Sequence, residues 1–458
     1  MILYNRTVSV AHLPRLTKLL YGIGDTGFSL TSTIVGVYFA IFLTDVVGVT
    51  PAVAAIAIFV GRTWDYINDP LVGYISDRTR TRWGRRRPYL LFGSIPFGLA
   101  FTLLWWRPPL EGTIPLAIYY AFVYVLFDTA ATFAYMPFFA LTPELTFDYD
   151  ERTALSTYRM FFSILGSLVA FTVPLAIIGA LVPENAPNVF RMGVIFAVIS
   201  VLPLWLTFGG TRERKELMAT TQPNLIKSLK AAVKNRPFVF SAMIFLFTWA
   251  SMDILQATLL YFIKYGVKRE AQSDLVMGVI FVTAIFALPF WQWVSKHWDK
   301  RLAYISGVAF WAVVQLTIVT LTPSTSLQII IGLCLLAGIG VSAAHVLPWS
   351  IIPDAVEWDE WKTGERHEGV FYSLITLIQK IASSIAIPLT LMVLDVTGYI
   401  PNAPQQPPTA ILGIRIAAGA IPALLLCMGI LFAAAYPLRR EEHAKLVQEL
   451  SARRIRDL

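Results

Sequence analysis

Long apolar stretches alternate with short polar ones from about residue 20 to residue 437. A membrane-spanning helix needs about 20 mostly apolar residues. By that measure the pattern predicts twelve spanning helices, near 20–46, 51–77, 89–107, 114–142, 155–181, 190–208, 237–263, 275–295, 301–322, 326–353, 369–397 and 409–437. Several exceed the length needed to cross, so tilt or extension beyond the hydrocarbon is expected. The longest polar interval, 209–236, separates six spans from six. The expected organisation is a first six-helix half (1–208), a linker (209–236), a second six-helix half (237–438) and a polar tail (439–458).

Basic residues set the orientation. Arg78, Arg80, Arg82, Arg85, Arg86 and Arg87 crowd the loop between spans 2 and 3. The linker holds Arg212, Arg214, Lys215, Lys227, Lys230, Lys234 and Arg236, and the tail is basic too. The alternate loops 47–50, 323–325 and 398–408 have no Lys or Arg. Cytoplasmic loops carry the excess of positive charge, so both termini and the linker are expected in the cytoplasm. One loop breaks the pattern: between spans 7 and 8 lie Lys264, Lys268 and Arg269.

Composition agrees. Of the 458 residues, 56% are hydrophobic and 14% charged, against about 25% charged in soluble domains. The net charge of +8 follows the topology and gives no reason to expect nucleic acid. Two cysteines in apolar segments, Cys334 and Cys427, imply no disulfide framework. No cleavable leader pattern stands at the start. The expectation is an all-α, multi-pass protein of the plasma (bacterial inner) membrane, with the lipid bilayer as its surroundings and a monomer as its working unit.

Against this background, charges inside the spans become candidate chemistry, because each is costly there. In span 2, Asp65 and Asp69 are four residues apart and share a helix face, with Asn68 beside them. Span 4 brings Asp128 and Thr132. Two carboxylates, an amide oxygen and a hydroxyl form a hard oxygen set suited to Na⁺; a proton or Li⁺ could serve instead. A resident Ca²⁺ or Mg²⁺ is disfavoured, because such sites want more ligands or retained water. The competing explanation is structural pairing with Arg62, Arg159 or Lys380. Lys380, in span 11, is the only strong base well inside the second half. It could balance the acidic cluster across the interface and couple cation binding to motion of the halves. Asp253 in span 7 and Asp25 near the start of span 1 are candidates for the substrate cavity, each with a structural alternative as a helix cap or kink. Asp354 and Glu357, at the end of span 10, are expected to meet the arginine loop as a cytoplasmic gate, unless they are simply a solvated helix end.

Three segments carry a family resemblance. GRTWDYINDPLVGYISDRTRTRWGRRRP (61–88), PFFALTPELTFDYDERTALSTYRM (137–160) and EWKTGERHEGVFYSLITLIQK (360–380) resemble signatures of the glycoside–pentoside–hexuronide cation symporters, the melibiose permease family of the major facilitator superfamily. The resemblance implies that superfamily's fold of two six-helix halves around a midplane site. It implies a sodium site at Asp65, Asn68, Asp69 and Thr132, communication through Lys380, and sugar contacts near Asp25 and Arg159. Asp77, Arg78 and Arg85 match the superfamily's loop motif. The sequence departs from the sugar carriers at two positions: Tyr135 stands where they keep a sugar-binding aspartate, and Phe139 where they keep a tryptophan. The same regions, together with LPWSIIPD around Trp349, are similar to sodium-dependent lysophosphatidylcholine symporters. That relative has an acidic residue at the position of Asp128.

The function expected is cation-coupled symport by alternating access, of a sugar or glycoside, with a lysophospholipid as the alternative. A channel is disfavoured, since no filter-like carbonyl loop is evident. A membrane enzyme is disfavoured too, since neither a metal-binding His/Cys set nor a nucleophile elbow is present. ATP-driven pumping lacks its phosphate-binding loop.

Overall fold

The computed structural model describes residues 13–146, 149–213, 232–364 and 368–456. Most of the expected linker, and 365–367 of the third resemblance segment, lie outside these residues. Among the described residues twelve long helices carry the chain: α1 (Arg15–Val47), α2 (Pro51–Arg78), α3 (Tyr89–Leu104), α4 (Thr113–Phe139), α5 (Ala154–Ile178), α6 (Pro183–Gly210), α7 (Arg236–Gly266), α8 (Glu270–His297), α9 (Lys300–Ile318), α10 (Leu327–Thr363), α11 (Val370–Val396) and α12 (Pro408–Ala434). Among the described residues there is no strand, only a single bridge between Thr81 and Gly84.

Ten of the twelve are long and apolar enough to cross a membrane on composition alone. The other two fall short for physical reasons. Helix α2 carries Arg62, Asp65, Asp69, Asp77 and Arg78 along its length, and α3 is a shorter apolar helix. The expected ends of span 10 are corrected: α10 continues past residue 353 to Thr363. Pro348 and Pro353 do not break it, although each removes one backbone donor from the helix. Gly364, at φ 75°, finally ends α10 in the left-handed conformation that glycine adopts freely. The residue pattern assigns the tail no secondary structure. The tail forms a helix, α13 (Arg440–Arg456), which packs on α10 and accepts a hydrogen bond from Trp361 Nε1 on Glu449 Oε2 (2.7 Å).

Helix pairings reveal a repeat that the residue pattern concealed. In the first six helices, α1 packs on α5 and α6, α4 on α2 and α3, and α3 on α6. In the last six, α7 packs on α11 and α12, α10 on α8 and α9, and α9 on α12. Adding six to each helix number converts one set of pairs into the other. The contacts between the sets obey the same relation: α1 meets α7, α2 meets α11, and α5 meets α8. This is the arrangement expected of two repeats related by a pseudo-two-fold axis.

Close approach of helices depends on small residues. A Cβ at Gly61 of α2 would overlap the Tyr124 ring of α4, and one at Gly340 of α10 would overlap Trp311 of α9.

Candidate functional site

Helix α2 presents Asp65 and Asp69 toward α11 in mid-span. Rising about 1.5 Å per residue, the helix places Asp65 roughly 20 Å from either of its ends. Lys380 Nζ of α11 lies 2.6 Å from Asp65 Oδ2 and is also ion-paired with Asp69 Oδ2. One ammonium thus bridges both carboxylates and ties the first six helices to the last six. A second tie runs one turn away, between the hydroxyls of Tyr66 and Ser384. The Lys380 and Asp69 side chains are 29% and 30% exposed.

Helix α4 supplies Asp128 and Thr132 of the predicted oxygen set, and Asn68 comes from α2. Thr132 Oγ1 is 3.5 Å from Asp69 Oδ1 and 3.0 Å from the Asp128 carbonyl. Asn68 Nδ2 donates to the same carbonyl at 3.4 Å, which leaves its amide oxygen available. Asp128 Oδ2 is buried with no hydrogen-bond partner. Buried polar atoms are normally satisfied, so an orphaned carboxylate oxygen beside two further carboxylates suits a small hard cation as its missing partner. The structural alternative raised from the sequence is also present, because Lys380 does pair with Asp65 and Asp69.

The predicted substrate residues fall into three places. Asp25 of α1 pairs with Arg159 of α5, with Nε and Oδ2 3.4 Å apart, and the Arg159 guanidinium lies 5.1 Å from the Phe139 ring centroid. Tyr135 is buried, and its hydroxyl has no hydrogen-bond partner. Its ring packs against Phe28, Phe97, Phe138 and Phe139. Where the sugar carriers keep an aspartate, this chain has an aromatic cluster beside one charged pair. Asp253 of α7 accepts a hydrogen bond from Ser383 Oγ of α11, which joins it to the turn that carries Lys380. Trp349 of α10 lies apart from these groups, packed against Phe245 at 4.8 Å and stacked with Tyr372 at 6.3 Å.

The residues expected to form a cytoplasmic gate have partners within their own half among the described residues. Asp354 pairs with Lys300 (2.5 Å) and His443 (3.6 Å), and His443 Nε2 lies 2.5 Å from Glu357 Oε2. On the other side, Arg86 pairs with Asp77 and Glu144, and Arg85 with Glu144 at 2.6 Å. Arg78 stacks over Tyr74 at 3.5 Å. Two carboxylates that the residue pattern did not single out bind the arginine loop. Glu144 neutralises the arginines from within the first six helices. Glu213 accepts the backbone N–H groups of Arg85, Arg86 and Arg87 at 2.7, 2.8 and 2.8 Å. Gly84, at φ 114°, allows this cradle, for a Cβ there would overlap the Glu213 carboxylate. The hydrogen bond that His443 Nε2 donates to the Glu357 carboxylate raises the His443 pKa above its ordinary value.

The opposite end of the molecule holds a network that was not predicted. Asp45 of α1 is buried. Its carboxylate accepts from Lys264 Nζ (2.7 Å), Tyr265 (2.5 Å), Tyr399 (2.5 Å) and Thr44 (3.0 Å). Thr44 in turn meets the Tyr261 hydroxyl at 2.9 Å. The network crosses from α1 to α7 and to the end of α11. Two signals in the sequence point to it: a carboxylate at the end of span 1, and the loop with the wrong charge.

Comparison with known proteins agrees with this architecture. Residues 20–440 match a family model described as MFS/sugar transport protein. An uncharacterized symporter of Synechocystis is 31% identical, covering 98% of this chain and 99% of the relative. The sodium-dependent lysophosphatidylcholine symporter 1-A of Danio rerio is 31% identical, covering 95% and 88%. Among solved structures, a D-xylose–proton symporter superposes with a TM-score of 0.66 at 15% identity, covering 92% of this chain and 97% of that one. A nucleoside transporter gives 0.65 at 13%, covering 93% and 100%. At those identities the superpositions speak to fold alone. The chain belongs to the MFS/sugar transport protein family and is a multi-pass membrane symporter of major facilitator type.

Proposed function

We propose that the protein is a sodium-coupled symporter of an amphiphile of the lysophospholipid class, with both termini in the cytoplasm of a bacterial inner membrane. Its two six-helix repeats act as the moving units. The cation site is Asp65, Asp69, Asn68, Thr132 and Asp128. When Na⁺ binds there it displaces the Lys380 ammonium, and the tie between α2 and α11 loosens. Loaded and empty carriers thereby differ in the contact that joins the two repeats, and alternating access requires such a difference.

The observation that carries the cargo assignment is the neighbourhood of Tyr135. A site built to read sugar hydroxyls would need several well-placed polar groups. Here the tyrosine hydroxyl is buried and unpartnered, and the surrounding rings are Phe28, Phe97, Phe138 and Phe139. The Asp25–Arg159 pair beside them offers one charge of each sign to a zwitterionic head. The similarity to sodium-dependent lysophosphatidylcholine symporters supports the same reading. The second reading, a glycoside, is favoured by the description of the matching family. Equilibrium displacement on the purified protein separates the two. Bound radiolabelled lysophosphatidylcholine is expected to be displaced by unlabelled lysophospholipids and retained against a glycoside panel. Displacement by a glycoside, or failure of the lysophospholipid to bind, refutes the assignment.

A further inference from the structure

Three basic residues, Lys264, Lys268 and Arg269, stand on the side that the charge asymmetry would leave neutral. Arg269 has a structural role, donating to the Thr325 carbonyl at 2.9 Å. The two lysines have a different setting. Both line a cavity of about 630 Å³ at the end of the molecule remote from the termini, together with Tyr265, Glu270, Asn402 and Gln405. Lys264 forms its floor, reaching past Asn402 Oδ1 (3.3 Å) and the Leu181 carbonyl (2.7 Å) to the buried Asp45 carboxylate. Lys268 is exposed on the wall and makes no ion pair among the described residues.

The backbone marks the same place independently. Among the described residues, only two non-glycine residues have positive φ: Lys268 at 55° and Asn402 at 52°. Both line this cavity, from different loops. A residue with a Cβ adopts that conformation at a cost, and such residues cluster where a site requires them.

We propose that this vestibule is a receiving site for the phosphate of the incoming substrate, and that the phosphate draws Lys264 from Asp45 and so weakens the latch between α1 and α7 by removing its ion pair. The proposal rests on the amphiphile reading given above. Lys268 is the free cation that first meets the phosphate, and Lys264 is the second. Glu270, 3.9 Å from Lys264 Nζ, limits the site to an anion of low charge. It also offers a carboxylate to a quaternary ammonium travelling with the phosphate. The vestibule lies about 30 Å from Asp25 along α1, at 1.5 Å per residue over twenty residues, so it is separate from the mid-span site. Asp45 has its other donors, Tyr265, Tyr399 and Thr44, and stays hydrogen-bonded when the lysine leaves.

The test uses the full-length protein with Cys427→Ser and Gln405→Cys, reconstituted and labelled with a membrane-impermeant maleimide. Lysophosphatidylcholine and glycerophosphocholine are expected to slow the labelling. With Lys268→Ala, half-protection should need about tenfold more of either, the ratio expected for loss of one charge-assisted contact; Lys268→Arg should restore it. A second label pair, Thr50→Cys with Gln405→Cys, reads the latch. Its distance should lengthen with glycerophosphocholine, and in Asp45→Asn without any ligand. Protection by inorganic phosphate alone overturns the head-group assignment and makes the vestibule a free-anion site. Protection by choline alone, by none of the probes, or equally in Lys268→Ala overturns the proposal. Sodium-driven uptake that persists without protection sinks the vestibule and leaves the symport reading standing.

Discussion

If Lys380 and Na⁺ compete for the same two carboxylates, removing the lysine should tighten sodium binding while abolishing transport. At 2.6 Å from Asp65 and an effective dielectric of about 20, the gross attraction of one pair is about 6 kcal/mol. Desolvation offsets most of this. What remains as a difference between the lysine-held and cation-held states falls in the usual range for coupling, about 1–3 kcal/mol, or roughly 5–150-fold in affinity. In Lys380→Ala the sodium dissociation constant should fall by a factor in that range, because no ammonium has to be displaced. Transport should stop, because binding then no longer alters the contact between α2 and α11. Equilibrium binding of ²²Na⁺ to purified protein measures the first effect and proteoliposome uptake the second. An unchanged or weaker sodium affinity in Lys380→Ala would show that the lysine and the ion do not share the site.

Four further outcomes follow from the same geometry. Asp65→Asn or Asp69→Asn should abolish sodium stimulation of uptake in a folded protein; unchanged stimulation in both would remove these residues from the cation site. Gly61→Ala should destabilise the protein by about 1–3 kcal/mol through overpacking against Tyr124. Gly332→Ala, with nothing within 4 Å, should leave the melting temperature unchanged; equal melting temperatures for the two variants would contradict the close α2–α4 packing. Docking of α13 on α10 should depend on pH, since His443 faces Glu357, Asp354 and Lys300 and its pKa is raised in the folded state. That contribution is fully present below the unfolded value of about 6.5 and is lost as pH rises through the raised folded value. Limited proteolysis of the tail should therefore accelerate on the alkaline side, and a pH-independent cleavage rate would refute the contact.

How much of this is legible in the sequence depends on the range of the interaction. The four-residue spacing of Asp65 and Asp69 is a property of one helix, and the spacing alone puts both on a shared face. Lys380 stands out because a lysine inside a span is costly. That it could balance the acidic cluster is readable from the residue types; which of Arg62, Arg159 and Lys380 takes the carboxylates is not, since 311 residues separate Lys380 from Asp69. The partners of the expected gate residues are unreadable for the same reason. Charge runs show which segments attract, but not that Glu144 and Glu213 already hold the arginines. Helix pairing, the element that shows the repeat, leaves no mark in hydropathy, because every lipid-facing or core-facing surface reads as apolar. The Asp45 latch has a signal in the loop that breaks the charge rule, but spacing cannot supply its three tyrosines, drawn from two different helix ends. Tyr135 is the reverse case: a single substitution raises doubt about a sugar cargo, and the packing around it gives that doubt a physical form.

The central claim is sodium-coupled transport of an amphiphile through the Asp65–Asp69 site. The most direct measurement is uptake of radiolabelled lysophosphatidylcholine into proteoliposomes under an inward sodium gradient, compared with equal sodium on both sides and with Asp69→Asn. The predicted result is accumulation above equilibrium that collapses without the gradient and is absent in Asp69→Asn. Uptake indifferent to sodium, or unaltered in Asp69→Asn, would contradict it.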